Sequence, residues 1–167
     1  PPRVQRILTA EDQIFVTPPP YGILPVNFRA QRNRMYRNDG SFHFTEVAEA
    51  AGVADPDGRS LQALLADVDD DGDLDLFVAN DVSYNRLYLN RGDGTFTDVS
   101  REAGLLDPRG SMGATLADVD DDGRPDLLVS NYGTDGIALY LSRPPVAGVP
   151  RFQRAEAMAR IVDASMG

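Results

Sequence analysis

The chain has 167 residues and a mass of 18.2 kDa, which is enough for one domain with a sizeable core. Its 26 acidic residues against 16 Arg, with no Lys, give a net charge of −10, so we expect no nucleic-acid partner, because phosphate binding needs a basic face. The absence of Cys excludes disulfides, thiolate metal sites and Cys nucleophiles. No apolar run approaches the ~20 residues of a membrane helix, so no membrane insertion is expected.

Residues 1–32 predict one strand followed by an irregular stretch. Gln13–Val16 is a short apolar run that is similar to Asp75–Val78 later in the chain. The prolines Pro18–Pro20 cannot lie in a central strand, since proline has no N–H to donate to a neighbouring strand. We therefore expect a partial structural unit with a Pro-rich insertion here.

The next predicted strands enclose a loop rich in aspartate. Leu61–Ala66 leads into the nine-residue window 67–75, which reads Asp-Val-Asp-Asp-Asp-Gly-Asp-Leu-Asp. Leu76–Ala79 follows as a continuous apolar run, which is typical of a buried strand.

A hairpin and one helical turn are predicted after this pair of strands. Arg86–Asn90 alternates in polarity, the turn Gly92-Asp93-Gly94 favours a tight reversal, and Thr95–Val99 should return antiparallel. Ser100–Gly104 predicts one helical turn that ends at the glycine. The same hairpin pattern occurs 52 residues earlier, from Asn33 to Gly52.

The second half of the chain repeats the first at a period of about 51 residues. The window 118–126 reads Asp-Val-Asp-Asp-Asp-Gly-Arg-Pro-Asp, and the two acidic windows hold eleven of the 21 aspartates. A weaker third copy of the hairpin is expected at Ala138–Leu141 and Phe152, interrupted by a Pro-rich insertion at Pro144–Pro150. The last three residues repeat Ser111–Gly113, so we expect this chain to be a segment of a longer array, cut before another acidic loop.

Four short antiparallel strands every ~50 residues are typical of the blades of a β-propeller. The sequence therefore predicts an all-β fold, an incomplete propeller segment of about three repeats. A β-sandwich with two related hairpins would explain the strands but not the periodic acidic loops. The predicted parts are 1–32, a partial blade with an insertion; 33–84, a repeat with the first loop; 85–136, a repeat with the second loop; and 137–167, a partial blade.

The acidic windows have the spacing of a metal-binding loop. The pattern D-x-D-x-D-G-x-x-D puts carboxylates at positions 1, 3, 5 and 9, glycine permits a sharp turn at position 6, and the carbonyl at position 7 supplies a fifth oxygen. A backbone ligand explains why position 7 can be Asp in one loop and Arg in the other. Hard oxygen ligands suit Ca²⁺ better than Mg²⁺ or transition metals, so two Ca²⁺ sites are predicted. The predicted ligands are Asp67, Asp69, Asp71, Asp73 and Asp75 in the first loop, and Asp118, Asp120, Asp122, Arg124 and Asp126 in the second.

Two other interpretations explain these loops less well. An EF-hand needs a Glu at position 12, where this chain has Val78 and Val129, each inside an apolar run. A solvated cluster of turn-forming residues is the simpler alternative, but four or five carboxylates held together without a cation would repel one another. Calcium loops explain the double occurrence better.

The acidic loops, each followed by an apolar strand, resemble the FG-GAP/VCBS repeats of integrin α-subunit propellers. The continuation from Asn85 to Val99 is similar in particular to the cartilage acidic protein group (the ASPIC/UnbV type). The resemblance covers residues 33–143 and implies a calcium-bearing β-propeller that is extracellular, periplasmic or at the cell surface. It also implies a role in adhesion or protein contacts.

No catalytic constellation is visible, and His43, between two Phe residues, is expected to be a solvent-facing strand residue. We therefore predict a non-enzymatic, calcium-stabilised module for protein interaction, adhesion or scaffolding. Its expected partners are a protein, a surface polymer or the remaining blades of the same parent chain. The alternative is the propeller portion of a larger extracellular enzyme, for example one acting on polysaccharide, with its catalytic residues outside this segment.

Overall fold

The structure, a computed structural model, describes residues 28–132 and 136–155. The strand expected at Gln13–Val16, the insertion that begins at Pro18 and the repeat of Ser111–Gly113 at the end of the chain lie outside the described residues. These three expectations stay predictions.

The described residues are nearly all antiparallel β-structure, which confirms the all-β prediction. One two-stranded sheet is followed by two four-stranded sheets, and in every sheet the strands are neighbours in chain order. This is the meander expected of propeller blades. The elements are β1 Tyr36–Gly40, β2 His43–Glu46, α1 Ala48–Ala51, β3 Ser60–Ala66, β4 Asp75–Asn80, β5 Arg86–Asn90, β6 Phe96–Asp98, β7 Ser111–Ala117, β8 Asp126–Asn131, β9 Ile137–Val146 and β10 Val149–Arg154.

The predicted strands between residues 61 and 99 correspond to β3, β4, β5 and β6, with ends that differ by at most one residue. The predicted turn between β5 and β6 is also present. Gly92 and Gly94 have φ of +72° and +88°, and the Arg91 N–H donates to the Thr95 carbonyl at 3.0 Å. Glycine is favoured at both positions because other residues rarely adopt positive φ.

Each four-stranded sheet takes its strands from two successive sequence repeats. β3 and β4 lie in the repeat predicted at 33–84, whereas β5 and β6 lie in the one predicted at 85–136. The repeat boundaries themselves stay a prediction. Relative to these predicted boundaries, each four-stranded sheet is shifted by about half a repeat.

A hydrophobic core joins the two four-stranded sheets. β4 and β5 contribute Phe77 and Leu87, and β8 contributes Leu127 and Val129, all of them buried. Burying one such side chain stabilises the fold by about 1.5–3 kcal/mol. The sheets therefore pack face to face, as consecutive blades do. The complete cluster is Phe77, Ala79, Leu87, Val99, Ala103, Leu105, Leu127, Val129, Ala138, Tyr140 and Phe152.

A short helical turn follows β2 and β6, and each turn leads into the next sheet. The turn predicted at Ser100–Gly104 is present as a single turn, in which the Ala103 N–H donates to the Val99 carbonyl at 2.8 Å. It ends at Gly104, with φ of +81°, where a Cβ atom would lie 2.8 Å from the Phe152 carbonyl oxygen. Only glycine allows β10 to approach this closely. In the preceding repeat α1 occupies the same place and ends at Gly52.

Tyrosine recurs at one position of the three hairpins, as Tyr36, Tyr88 and Tyr140. Tyr88 and Tyr140 are 3% and 4% exposed and pack inside the sheets, whereas Tyr36 in β1 is 52% exposed. The Tyr140 hydroxyl donates to the buried carboxylate of Asp107, which also accepts the Arg109 Nε at 2.7 Å. Burial alone would raise the pKa of Asp107, but the hydrogen bonds from Arg109 and Tyr140 hold it below its usual value.

The Pro-rich segment Pro144–Pro150 does not interrupt the third hairpin, contrary to expectation. It lengthens the hairpin: β9 runs through to Val146, and β10 begins at Val149. β9 pairs with β8 only over Ile137–Tyr140, so the prolines lie where the strand has a neighbour on one side. Proline is tolerated there because no N–H is needed for a second neighbour.

A single glutamine ties the first strands of the two sheets together. Gln62 of β3 donates from Nε2 to the Ala114 carbonyl of β7 at 3.1 Å, and its Oε1 accepts the Ala114 N–H at 2.7 Å. β7 is an edge strand of its sheet. The Gln62 side chain therefore forms hydrogen bonds with outward-facing backbone groups of β7 that have no partner strand. One period later the matching residue is Gly113, where a Cβ atom would lie 3.0 Å from the Gln62 Oε1.

We expect Gln62→Ala to lower the free energy of unfolding by about 1–2 kcal/mol, since two hydrogen bonds to the β7 edge are lost. Urea denaturation of the full-length protein would measure this change. Gln31→Ala removes the same side chain at an exposed position and should change the stability by less than about 0.5 kcal/mol. Equal effects of the two substitutions would contradict the role given to Gln62.

Candidate metal centre

Each acidic loop connects the first two strands of a four-stranded sheet. The first loop lies between β3 and β4 and the second between β7 and β8. The last paired residues are Ala66 with Asp75 and Ala117 with Asp126, so each loop closes directly on the end of a strand pair. Both loops are therefore rigidly anchored at both ends.

The first aspartate of the first loop folds the backbone around itself. The Asp67 carboxylate accepts the N–H groups of Asp70 at 2.7 Å, Asp71 at 3.2 Å and Gly72 at 2.9 Å. Gly72 has φ of +94°, as its position in the motif predicted. Asp70 also has a positive φ, of 64°, which the sequence reasoning missed. Aspartate is one of the few residues that tolerates this conformation, because its short side chain bonds locally.

The second loop has the same backbone path. The Asp118 carboxylate accepts the N–H groups of Asp122 at 3.1 Å and Gly123 at 2.9 Å. Asp121 and Gly123 have φ of 58° and +84°, at the same two loop positions as in the first loop. The repeat seen in the sequence is thus a repeat of backbone geometry as well as of charge.

The structure brings together three carboxylates in each loop. Carboxylate oxygens of Asp67, Asp69 and Asp71 lie within 4.8 Å of one another in the first loop. In the second loop the corresponding group is Asp118, Asp120 and Asp126. Such groups could hold a metal ion.

The last aspartate of each loop has a structural role that the sequence reasoning did not foresee. Asp75 is 1% exposed, and its two oxygens accept the N–H groups of Val68 and Asn90, each at 2.9 Å. Asp126, also 1% exposed, accepts those of Val119 at 2.9 Å and Ser142 at 2.7 Å. Each carboxylate therefore joins its loop to the third strand of the sheet. Burial raises the pKa of Asp75, although both backbone hydrogen bonds oppose this shift.

Asp69 is the residue whose surroundings fit a cation best. Its Oδ1 is buried and has no hydrogen-bond donor within the part of the chain that the structure describes. Burial, and then the neighbouring carboxylates of Asp75 and Asp71, raise the pKa of Asp69 to about 6. A buried acceptor without a donor costs free energy, and a bound cation would remove that cost. The donor set, which is oxygen only, fits Ca²⁺.

Position 7 differs between the loops in charge but not in backbone contact. The N–H groups of Asp73 and Arg124 donate to the position-5 carboxylates, Asp71 and Asp122, at 2.9 and 3.0 Å. The predicted use of the position-7 carbonyls as metal ligands stays a prediction. The Arg124 guanidinium also pairs with the Asp122 carboxylate.

Two residues outside the motifs also shape the loops. Asn90 of β5 holds the first loop through its Nδ2, which donates to the Leu74 carbonyl at 3.0 Å. Arg143 of β9 lies 3.7 Å from the Asp120 carboxylate. Both residues lie at least 15 positions away from the loop residue they contact, so no local sequence pattern could have identified them.

His43 is solvent-facing, as predicted: its side chain is 75% exposed and lies 3.3 Å from the Asp39 carboxylate.

In the described ranges, no helix combines the length and the apolar character needed to cross a membrane.

Comparison with known proteins places these loops in a family. Residues 23–78 and 67–129 match the family described as FG-GAP-like repeat. The chain is 35% identical over 95 residues to cartilage acidic protein 1 of Homo sapiens. These aligned residues make up 56% of this chain and 14% of that protein. The Mus musculus protein of the same name is 33% identical over 95 residues, with the same coverage of both chains. The Xenopus tropicalis protein is 37% identical over 59 residues, or 35% of this chain and 9% of that one.

The chain thus spans a small part of the length of these relatives. The family match covers more than half of the chain and includes both acidic loops and the strands around them. The protein belongs to the FG-GAP-like repeat family.

Proposed function

We propose that this protein is a calcium-stabilised, non-catalytic propeller module that serves protein interaction, adhesion or scaffolding outside the cell. The observation that carries the proposal is the repeated loop in which three carboxylates approach within 4.8 Å at the end of a strand pair. Membership of the FG-GAP-like repeat family supports a repeat module of this kind.

Calcium is the ion that the loops favour. The residues that would hold it are the aspartates at positions 1, 3, 5 and 9, which are Asp67, Asp69, Asp71 and Asp75, and Asp118, Asp120, Asp122 and Asp126. Position 7 would add the backbone carbonyl of Asp73 or Arg124. The bound ion supplies the positive charge that allows these carboxylates to converge.

The loops support a structural role for the ion because their backbone is already ordered by the chain itself. Asp67 and Asp118 fix the turn, and Asp75 and Asp126 fix the loop to the sheet. At millimolar Ca²⁺ and a dissociation constant of about 10⁻⁴ M, binding stabilises the fold by about 1.4 kcal/mol per site. This is a large fraction of a typical free energy of unfolding.

A non-catalytic role is supported by the structural contacts that the buried carboxylates make. Asp55 pairs with Arg86, Asp107 pairs with Arg109, and Asp75 accepts two backbone N–H groups. These three carboxylates are engaged in ion pairs and hydrogen bonds that hold the fold together. An extracellular location is favoured because calcium sites of millimolar strength are filled there.

One face of the first sheet supports contact with a further blade. Leu61 and Leu65 of β3 are 51% and 58% exposed, and they lie on the same side of the strand as Ala63. Apolar side chains in a row on a sheet face indicate a surface that packs against another element. We propose that another blade of the parent chain covers it, and that a protein or surface polymer binds the assembled module.

Chelation should destabilise the protein without affecting a chemical step. We expect the melting temperature of the full-length protein to fall when EDTA replaces 1 mM Ca²⁺, since binding energy is removed from the folded state only. Differential scanning calorimetry at fixed ionic strength measures this. A melting temperature that does not respond to calcium would contradict the proposed function.

A matched pair of substitutions tests the ligand assignment. Asp71→Asn removes a predicted ligand charge, whereas Asp70→Asn removes the same charge at position 4, where asparagine keeps the positive φ. Asp71→Asn should lose about 1.4 kcal/mol of the calcium-dependent stabilisation, and Asp70→Asn should lose much less. Equal losses would show that the loop acts only through its total charge.

The pH dependence should reverse in sign when calcium binds. Without calcium, the pKa of Asp69 is about 6 in the folded state, against an ordinary value of 3.8. A raised folded-state pKa contributes stability that is complete below pH 3.8 and is lost as the pH rises through about 6. The calcium-free protein should therefore melt at a higher temperature at pH 5 than at pH 7.

With calcium bound, the protein should instead melt at a lower temperature at pH 5, because protons compete with the metal for the carboxylates. Asp69→Asn should reduce the pH dependence of the calcium-free protein. Thermal melting at both pH values, with calcium and with EDTA, tests all three expectations. A slope of the same sign in both states would contradict them.

A further inference from the structure

We infer that the two acidic loops differ in their affinity for calcium, and that Arg124 and Arg143 weaken binding at the second loop. This inference rests on the proposed function, and it concerns how strongly each loop is filled. Its basis is the two arginines that, among the described residues, form ion pairs with the second loop and have no counterpart at the first.

The formal charges of the two loops are unequal. Residues 67–75 contain six aspartates and no cation, a charge of −6. Residues 118–126 contain five aspartates and Arg124, a charge of −4. The attraction for a divalent cation is therefore stronger at the first loop before any contact is considered.

Arg124 also engages a predicted ligand directly. Its guanidinium pairs with the Asp122 carboxylate, which accepts the Arg124 backbone N–H as well, at 3.0 Å. The corresponding residue of the first loop, Asp71, lies in the compact carboxylate group, whereas the compact group of the second loop consists of Asp118, Asp120 and Asp126. The Arg124 Nε is buried and has no acceptor within the described ranges, so part of its hydrogen-bonding capacity is unused.

Arg143 adds a second cation from outside the loop. Its Nη1 lies 3.7 Å from the Asp120 Oδ2, and its position in β9 is fixed by Nε, which donates to the Gln153 Oε1 at 3.1 Å. The residue at the matching position of the first sheet is Arg91, 52 residues earlier. Its Nε donates instead to the Thr97 hydroxyl at 2.6 Å. The arginine at this position therefore contacts the second acidic loop in one sheet and a hairpin residue in the other.

These contacts have a physical consequence for calcium. An ion that enters the second loop must replace Arg124 at Asp122 and compete with Arg143 for Asp120, and both arginines repel it. An ion that enters the first loop meets carboxylates and the unpaired Asp69 Oδ1. We therefore expect the first loop to fill at lower calcium concentration than the second, with the difference determined by the two arginines.

Isothermal titration calorimetry of the full-length protein with CaCl₂ tests this inference one loop at a time. Asp69→Asn silences the first loop, and Asp120→Asn silences the second. The second loop should bind calcium more weakly than the first. Adding Arg124→Gln to the Asp69→Asn protein should tighten binding about five- to tenfold, by removing the repulsion and the competing ion pair. Arg143→Gln should tighten it by a smaller factor.

Two controls make the result specific. Arg101→Gln makes the same charge change at an exposed residue in the turn after β6, and it should leave both affinities unchanged. Arg124→Gln in the Asp120→Asn protein should leave the first loop unchanged. A reciprocal variant, Asp73→Arg, should weaken the first loop, so that the inference can be tested even if Arg124→Gln impairs folding.

The outcomes separate this inference from the proposed function. Equal affinities of the two loops, or no tightening by Arg124→Gln, would overturn the inference while calcium binding itself stands. An absence of calcium binding at both loops would overturn the inference together with the proposed function.

Discussion

The structure depends on one buried carboxylate at the first residue of the second strand in each four-stranded sheet. Asp75 and Asp126 are almost completely buried, and each accepts one N–H from its own loop and one from the third strand. Three segments that are distant along the backbone therefore meet at one charge. A buried carboxylate is expensive unless hydrogen bonds or a cation compensate it. The acidic loop beside it holds carboxylates that could bind such a cation, so the candidate metal centre and the corner of the sheet form one structural unit.

This carboxylate also explains how the sequence repeats are joined. Asp75 belongs to the repeat predicted at 33–84, but the N–H that it accepts from Asn90 belongs to the next repeat. With these predicted boundaries, the two repeats contribute different strands to the same sheet. Gln62 makes a second connection of this kind between sheets, through both backbone groups of Ala114. Stability in such an array comes from contacts between neighbouring units as well as from the units themselves.

Local sequence patterns predicted the strands and the loops, but they could not predict contacts between residues that are distant in the sequence. Alternating and continuous apolar runs predicted the ends of β3, β4, β5 and β6 to within one residue. This works because the burial of a strand is determined by the polarity of residues that are adjacent in the sequence. The spacing of the aspartates identified the loops in which carboxylates come together, but of the four predicted side chains in each loop the structure groups three. The arginine that reaches Asp120 comes from another strand, and the Pro-rich hairpin is tolerated because β8 does not extend beside it. Both facts depend on which strands lie next to each other in the sheet, and local sequence patterns do not specify this.

The two loops finally show which parts of the motif the backbone requires and which it leaves free. Asp at position 1 and Gly at position 6 are the same in both loops, because the carboxylate and the positive φ determine the turn. Position 7 is Asp in one loop and Arg in the other, and in both its N–H donates to the position-5 carboxylate. Since the backbone contact of this residue is the same in both loops, its side chain changes the local charge by two units without changing the backbone path. Affinity for a cation can therefore vary between repeats that share one backbone geometry.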